Sequence, residues 1–477
     1  MKRIGVRLLG LWVFAAAVGW IPRAFADNQT AALSPVLPAD AVPFGIQIQQ
    51  ATFQLPSGLQ SFVVGTHRGK WLLLAGRING LHGFGGSNDF PPNQQNTTVF
   101  VVDPDLQTVA TRSLADAGSG LTQAQIDLLS VTAAQSCQSG RTLFIAGGYG
   151  IDTASGVLNT KDALTAIDVP GLMHWVTRPF DGETAAQHLR QTFSPFVQVT
   201  GGFMTAVTRR RMLLGFGQNF TGGNVFSDGT YSEQIRRFRV VGSGKRRLAV
   251  VPETTVPEVP DPSYRRRALN VVPIIDNGRK RFVAFSGVFT PTNGIWTVPV
   301  EIDRHGVPTM ADPAAPDTFK QAMNNYLSAT LGLYSRKVRA SYTVLLGGIS
   351  YGFFSSGVFQ TDAQLPFINQ ITAIKRDRDG IFSQYLLGAE YPEIVSTGSN
   401  PGNPLLFGTS ATFIPVRRLP KYSNGVVRLD ALRRKSRVVG YVVGGIQSTL
   451  PNTNTTSDTA ASPYIFTVTL VPAPAGS

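Results

Sequence analysis

The residue types that most often carry catalysis or bind metal are sparse in this chain. No pair of histidines has the H-x-x-x-H or H-E-x-x-H spacing that directs two imidazoles at one metal ion. The five histidines are His67, His82, His174, His188 and His305. The single cysteine, Cys137, cannot form an internal disulfide and is expected to be a small buried side chain. The sequence therefore predicts no metal and no cofactor, and it leaves any catalytic residues unassigned.

Aromatic, amide and hydroxyl side chains gather in six loops, each directly after a short apolar run that ends in glycine. Aromatic rings stack on the flat faces of sugars and peptides, and polar groups bond their edges. These loops therefore predict a binding site for a glycan or protein ligand. Its candidate residues are Arg77, Asn79, His82, Tyr149, Asp152, Gln218, Asn219, Phe289, Tyr351 and Gln447.

Basic side chains gather in the turns that precede the same apolar runs. They can simply keep exposed hairpin ends soluble and discourage edge pairing. They can also form an electrostatic surface for an anionic partner, such as the head groups of an envelope lipid or an acidic glycan. Nucleic acid is an unlikely partner because no nucleic-acid motif appears. The candidates for an anionic partner are Arg209, Arg210, Arg211, Arg279, Lys280, Arg281, Arg433, Arg434 and Lys435.

The elements that position both sets form a repeat. The apolar runs cover residues 71–76, 143–148, 212–217, 282–287, 344–348 and 442–445. Their last glycines are 72, 69, 70, 61 and 97 residues apart. A strand-like segment precedes each run, and further strands follow it. Four antiparallel strands per unit is the blade of a β-propeller. We expect the glycine-ended strands to converge on the central axis, where a side chain would crowd the backbone.

The apolar strand that ends in Gly-Gly resembles the kelch repeat, best at Ala146-Gly147-Gly148-Tyr149 and Leu346-Gly347-Gly348. The resemblance covers residues 58–471, with units longer than the usual kelch length of about 50. It implies an all-β, kelch-like propeller similar to the central propeller of galactose oxidases. Those enzymes use a copper site with a crosslinked Cys–Tyr pair, a second Tyr and two His. That catalytic motif is not matched here.

The repeat predicts six blades and a ring closed by an N-terminal strand. The last unit lacks an outer strand, and the alternating segment 46–55 can supply it. A seven-bladed ring that uses residues 405–429 is the alternative. The expected domains are a signal peptide (1–26), a flexible tether (27–45), the propeller (46–471) and a C-terminal tail (472–477).

The chain begins with a charged segment, an apolar stretch and the small-x-small site Ala24-Phe25-Ala26, which together predict a secretory signal peptide. No later run of 18 apolar residues exists. Export without disulfides favours a bacterial periplasm or the cell exterior. The formal net charge of +14 bears on partners and solubility and not on the fold.

The leading functional hypothesis is an exported, non-enzymatic binding scaffold for a glycan or protein ligand. A periplasmic carbohydrate-active enzyme is one alternative, because some six-bladed kelch-like propellers are sugar mutarotases or epimerases. Such an enzyme needs an acid/base residue beside a basic one, and Arg77 and Asp152 are the candidates. A structural component of the cell envelope is the other alternative.

Overall fold

The computed structural model describes residues 32–83, 89–222, 229–242, 247–432, 435–453 and 455–472. The predicted signal peptide lies outside the described residues, as do Arg433, Arg434 and all but the first residue of the predicted tail. Among the described residues, no helix is long and apolar enough to cross a bilayer. Short β-strands make up most of the regular secondary structure, which agrees with the many β-branched residues and turn-forming glycines.

Two N-terminal strands, β1 (Val36–Leu37) and β2 (Phe44–Gln50), precede the first repeat. Sheet 1 contains β3 (Val63–His67), β4 (Lys70–Leu74), β5 (Thr98–Asp103) and β6 (Thr108–Ser113). Sheet 2 contains β7 (Gln135–Ser139), β8 (Thr142–Ala146), β11 (Ala163–Asp168) and β12 (Leu189–Phe193), with the hairpin β9 (Tyr149–Asp152) and β10 (Val157–Thr160) inserted. Sheet 3 contains β13 (Phe203–Ala206), β14 (Arg211–Gly215), β17 (Ile235–Val241) and β18 (Ala249–Val256), with the inserted pair β15 (Gln218–Asn219) and β16 (Thr230–Tyr231).

The second half of the chain repeats this plan. Sheet 4 contains β19 (Asn270–Asp276), β20 (Arg279–Phe285), β21 (Val300–Ile302) and β22 (Pro308–Met310). Sheet 5 contains β23 (Ala329–Ser335), β24 (Ala340–Ile349), β27 (Phe367–Arg376) and β28 (Phe382–Glu390), with the inserted hairpin β25 (Gly352–Ser355) and β26 (Val358–Thr361). Sheet 6 contains β29 (Thr412–Pro415), β31 (Arg437–Val443) and β34 (Ile465–Pro472), with the inserted pair β32 (Ile446–Ser448) and β33 (Thr459–Ala461); β30 (Val427–Arg428) joins sheet 5.

Helical structure is limited to the connections. The α-helices are α1 (Gln123–Leu129) and α2 (Val169–Thr177). The 3-10 turns cover Ala39–Ala41, Pro92–Gln94, Ala117–Ser119, Ala185–His188, Pro195–Val197, Pro262–Tyr264 and Leu429–Ala431. Thr122 begins α1 with a reciprocal capping box to Gln125, and the Asp168 side chain accepts the Gly171 N–H at the start of α2.

The sheets form an all-β propeller, but the number of four-stranded blades differs from the prediction. In the described residues, sheets 1, 2, 3, 4 and 6 have four strands each, so there are five such blades and not six or seven. Sheet 5 has six strands, because β1 pairs in parallel with its last strand, β28, and β30 pairs in parallel with its first strand, β23. Those two strands have two residues each, too few to show a period.

The ring closes as the alternation of the N-terminal segment predicts. β2 pairs antiparallel with β34 from Phe44↔Pro472 to Gln50↔Phe466 and becomes the outer strand of sheet 6. The flexible tether expected up to residue 45 is corrected in part, because β1, a 3-10 turn and the start of β2 all lie within it. The Ser34 backbone N–H donates to the Lys320 carbonyl at 2.9 Å and fixes this segment against sheet 5.

A hydrophobic cluster fills each gap between neighbouring sheets, including the gap between sheets 6 and 1. The buried centres of these clusters include Leu143, Phe238, Val300, Phe285, Phe466 and Leu73. The cluster between sheets 1 and 2 also takes in α2, whose Trp175 is fully buried. Since apolar burial supplies most of the folding free energy, the sheets stabilise one another around the whole ring.

The glycine-ended strands are second in each sheet, which corrects the expectation that they line the axis. Neighbouring first strands, such as β7 and β13 or β19 and β23, lie beside each other nearest the axis. The glycines are still needed for close approach. A Cβ on Gly76 would stand 2.3 Å from the Gln60 carbonyl oxygen, and its φ of +84° is one that L-residues rarely adopt.

The closing strand gives a direct test of ring stability. Ile46 of β2 is buried in the cluster between sheets 5 and 6, whereas its neighbour Gln47 is exposed. We expect Ile46→Asp to lower the free energy of unfolding by about 3 kcal/mol, because it buries an unpaired charge. Gln47→Asp is the matched control and should change it by less than about 0.5 kcal/mol. Urea denaturation measures both free energies of unfolding. Equal effects would contradict the placement of β2 as the outer strand of sheet 6 with Ile46 buried.

Candidate functional site

Six backbone segments meet at the centre of the propeller, each just before the first strand of a sheet. Each contributes one residue with a left-handed backbone, and we call this set the axial ring. Its members are Ser61, Ala133, Gly201, Ala268, Leu327 and Ser410, with φ between 49° and 69°. Backbone N–H groups of the ring donate to the preceding member at four places. These bonds are Ser61 to Ser410 (3.1 Å), Gly201 to Ala133 (2.9 Å), Ala268 to Gly201 (3.0 Å) and Ser410 to Leu327 (2.7 Å).

The axial ring forms the floor of a cavity of about 400 Å³, which we call the axial cavity. Its walls come from the loops and short strands that follow the glycine-ended strands. The wall side chains are Arg77, His82, Phe90, Tyr149, Phe220, Val288, Phe289, Ile349 and Ile446. Arg267 and Tyr326 rise from the floor, each one residue before a member of the axial ring. The cavity thus combines six different loop sequences on one repeated backbone frame.

An aromatic stack forms one wall of the axial cavity. The Tyr149 ring lies nearly parallel to Phe220, with centroids 4.4 Å apart, and meets Phe90 edge-on at 5.1 Å. His82 stacks on the other side of Phe90 at 4.5 Å. The Tyr149 hydroxyl donates to the carbonyl of Gly222, and burial raises its pKa. The stack is therefore held from several sides and presents fixed ring surfaces.

Arg77 is held behind this stack. It is only 2% exposed, its Nε donates to Asn79 Oδ1 at 2.9 Å, and its Nη2 donates to the Pro91 carbonyl at 3.2 Å. Its guanidinium carbon lies 5.2 Å from the Phe90 ring centroid. Burial lowers the pKa of Arg77 to about 10, and Tyr149 partly opposes that shift. Arg77 therefore carries a desolvated positive charge at the cavity wall.

Arg267 brings a second positive charge to the cavity. Its guanidinium carbon lies 4.7 Å from the Phe289 ring centroid. Burial lowers the pKa of Arg267, against a smaller opposite effect of Tyr231 and Tyr326. Burial also raises the pKa of Tyr326, so this hydroxyl stays protonated at neutral pH. Neither Arg77 nor Arg267 forms an ion pair with a carboxylate within the described part of the chain.

The electrostatics of the cavity are therefore positive. No Asp or Glu is among its described lining residues. Asp89 lies beside the wall and raises the pKa of His82 and Tyr149, but it does not line the cavity. Burial is the largest influence on His82 and lowers its pKa to about 4, so its imidazole is neutral at pH 7. Such a site favours an anionic ligand over a cation.

Four of the sequence-predicted ligand residues line the axial cavity, namely Arg77, His82, Tyr149 and Phe289. Asn79 supports Arg77 from behind. The structure does not bring the others to the cavity: Gln218 and Asn219 lie in β15, Tyr351 precedes β25, and Gln447 lies in β32. Gln218, Asn219 and Gln447 belong to the pairs of short strands that are inserted after the glycine-ended strands.

Asp152 is also outside the axial cavity. It ends β9, where its Oδ1 accepts the backbone N–H groups of Ala154 and Ser155 at 3.1 Å each. It lines a separate cavity with Lys161. The pairing of Arg77 with Asp152 suggested for a sugar mutarotase is therefore not present, because Asp152 closes a hairpin turn instead of facing inward.

The sequence analysis missed Phe90, Phe220, Arg267 and Tyr326 as candidates. Arg267 and Tyr326 occupy the same repeat position as Gln60, Thr132, Thr200 and Thr409, one residue before the axial ring. The sequence search compared the loops that follow the second strand of each sheet. A comparison of the segments that precede the first strand of each sheet would have shown this position.

The basic residues proposed for an anionic partner, apart from Arg433 and Arg434 outside the described residues, lie at the opposite ends of the strands. Arg209, Arg210, Arg279, Lys280 and Lys435 are exposed. Arg211 pairs with Glu253 at 3.0 Å, and Arg281 pairs with Asp276 at 3.1 Å. Two of the seven described candidates therefore already neutralise carboxylates of their own sheets.

The described residues contain no group of three or more His, Cys, Asp or Glu side chains that could hold a metal ion. Cys137 lies in β7 with its Sγ 3.5 Å from the Met212 sulfur, and burial raises its pKa to about 12. Burial therefore disfavours the thiolate of Cys137, the form in which cysteine acts as a nucleophile or metal ligand.

Comparison with known proteins gives little beyond the fold. No protein-family model and no curated protein matches the chain. The chain is similar to a solved structure titled "Structure of YjhT", with 11% identity and a TM-score of 0.45, over 87% of this chain and 98% of that chain. At this level of similarity the match says nothing about activity, and the propeller assignment rests on the strand topology.

The buried histidine gives a test of the site's electrostatics. The pKa of His82 falls from 6.5 to about 4 on folding, so the unfolded chain binds an extra proton between these values. Stability from this group is therefore present above pH 6.5 and is lost as pH falls towards 4. We expect wild-type protein to lose on the order of 2 kcal/mol more than His82→Gln between pH 7 and pH 4.5.

The measurement is the urea denaturation midpoint of both proteins at the two pH values. His305→Gln, in an exposed turn, is the control and should lose stability as the wild type does. If His82→Gln also follows the wild-type pH dependence, the burial of a neutral imidazole is refuted.

Proposed function

We propose that the protein is an exported, non-enzymatic β-propeller that binds an acidic glycan in the axial cavity. One observation carries the proposal: aromatic rings and two arginines line the cavity, while its described lining contains no carboxylate. Export is inferred from residues 1–26 alone. The ligand's negative charge is inferred from Arg77 and Arg267.

The size and surface of the cavity support a sugar as the ligand. A volume of about 400 Å³ lies in the range of small-molecule sites and accommodates one or two sugar rings. Phe289 and the stack of Tyr149 and Phe90 offer ring faces, which pack against the apolar faces of pyranose rings. A protein ligand that binds through a flat surface would need a far larger contact area than this cavity provides.

The carboxylate of an acidic sugar would complement the two arginines. Guanidinium groups bind carboxylates in bidentate geometry, and the bond is stronger where water is excluded. Both guanidinium groups already lie against aromatic rings and are partly desolvated. An anionic ligand therefore gains their charge without the cost of desolvating freely hydrated side chains.

We also propose that sheet 5 is a sixth blade, extended at its edges by β1 and β30, so that the ring is six-bladed and kelch-like. Two features support this view. The axial ring takes one residue from each of six repeats. The middle of sheet 5 has the same order of four antiparallel strands as its neighbours.

An array of oligosaccharides tests the proposed ligand. We expect binding to glycans that end in a uronic acid and at least tenfold weaker binding to matched glycans that end in neutral glucose, because a charge-assisted bond is lost. Preference for the neutral series would contradict the proposal.

Substitution of Arg267 tests the location of the site. Arg267→Gln should weaken binding of the uronic-acid glycan about tenfold or more by titration calorimetry, with the fold retained. Arg178→Gln, an exposed arginine after α2, is the matched control and should leave affinity unchanged. If Arg267→Gln binds as the wild type does, the axial cavity is not the site.

A further inference from the structure

A groove between sheets 3 and 4 opens on the face opposite to the axial cavity. β14 runs from Arg211 to Gly215, and β20 runs from Arg279 to Phe285. In both strands the C-terminal end leads to the cavity, so the N-terminal ends lie at the other face of the ring. The groove at these N-terminal ends has a volume of about 910 Å³.

Basic side chains dominate the groove. They are Arg211, Arg237, Arg279, Lys280, Arg281, Arg304 and His305. The one acidic residue in its described lining is Asp303. Its Oδ1 accepts the backbone N–H groups of His305 at 2.7 Å and Val307 at 2.9 Å. Asp303 therefore closes its own turn and leaves the basic side chains without a balancing carboxylate in the groove.

The carboxylates beneath the groove are already paired. Glu253 accepts a hydrogen bond from Arg211 at 3.0 Å and forms an ion pair with Arg237 at 3.2 Å. Asp276 pairs with Arg281 at 3.1 Å and with Arg376 at 2.8 Å. These pairs hold the inner guanidinium groups in fixed positions. A ligand site needs side chains that are held in this way.

The outer cations of the groove are unpaired. Arg279, Lys280 and Arg304 are exposed and form no ion pair with any described carboxylate. In addition, Arg211 lies directly opposite Arg239 in the register of β14 and β17. Like charges directly opposite each other destabilise a strand pair. An anion that reaches Arg211 from the groove would add to the ion pair with Glu253 in offsetting that repulsion.

We propose that this groove binds the phosphate group of a ligand. A phosphate carries close to two negative charges and three acceptor oxygens, so it can engage several cations at once. Guanidinium forks match its geometry, and several forks with one ammonium surround the groove. A carboxylate has one charge and would leave most of these cations unused. The site is independent of the axial cavity and of the glycan proposed there.

Binding of inorganic pyrophosphate to the full chain tests the proposal by titration calorimetry. We expect the triple variant Arg279→Gln, Lys280→Gln, Arg304→Gln to bind at least tenfold more weakly than the wild type. The control triple is Arg336→Gln, Lys337→Gln, Arg418→Gln, which removes the same charge from exposed positions outside the groove. It should change the affinity by less than twofold at physiological salt.

Two results would overturn the proposal. One is no binding of pyrophosphate to the wild type. The other is an equal loss in both triples, which would mean that the basic turns act only through general charge. Circular dichroism melts of both triples check that the fold is kept; all six side chains are exposed, so neither should unfold.

A second experiment determines whether the phosphate belongs to a lipid or to a soluble ligand. Vesicles of phosphatidylcholine with one fifth phosphatidic acid carry the same group on a lipid, and pure phosphatidylcholine vesicles are the reference. If the wild type cosediments with the phosphatidic-acid vesicles and the triple variant Arg279→Gln, Lys280→Gln, Arg304→Gln does not, the site binds lipid head groups. Binding of pyrophosphate without cosedimentation assigns it to a soluble phosphorylated ligand.

Discussion

The structure depends on one repeated backbone hydrogen bond, which joins neighbouring sheets at five of the six junctions in the described residues. The glycine that follows the second strand turns its N–H out of its own sheet and donates to a carbonyl just before the next first strand. The bonds are Gly76 to Val131 (2.8 Å), Gly148 to Val199 (2.9 Å), Gly217 to Arg266 (2.8 Å), Gly348 to Phe407 (3.0 Å) and Gly445 to Leu59 (2.9 Å). The last of these crosses from the end of the chain to its beginning. A buried backbone donor must find a partner, so this bond fixes the angle between neighbouring sheets.

The axial ring follows from that constraint. Where the carbonyl before a first strand is committed to the neighbouring sheet, the chain must reverse within two or three residues to start the strand. It does so through a left-handed residue, which costs about 1 kcal/mol where the residue is not glycine, as at Leu327 and Ala133. Bonds between ring members and the apolar clusters between the sheets outweigh this cost. The result is a rigid cavity floor with the same backbone geometry in each repeat. The side chains beside it differ from repeat to repeat, so a symmetric backbone forms an asymmetric site.

The sequence was sufficient wherever a short-range pattern decided the structure. The glycine-ended runs were found as strands, and alternation in residues 46–50 identified β2, because a closing strand must bury one face only. The sequence was insufficient where the burial of a side chain in the folded protein decided its role. Three consecutive arginines resemble a solvated turn, yet Arg265 stacks on Tyr231, Arg266 is fully buried on Trp296, and Arg267 enters the axial cavity. No local signal distinguishes these environments, since each depends on rings from distant parts of the chain.

The two positive regions act independently because the strands separate them. From Arg211 to Gly215, β14 spans roughly 13 Å at about 3.3 Å per residue. This exceeds the Debye length of about 8 Å at physiological salt, so the exposed charges of the groove contribute little to the potential at the cavity mouth. The cavity instead owes its charge to Arg77 and Arg267, whose desolvation strengthens their local field. A ligand in the cavity is therefore selected by the buried guanidinium of Arg77 and the partly buried one of Arg267, and not by the net charge of the protein. The excess of basic over acidic residues in the chain instead governs the first approach of an anion from solution.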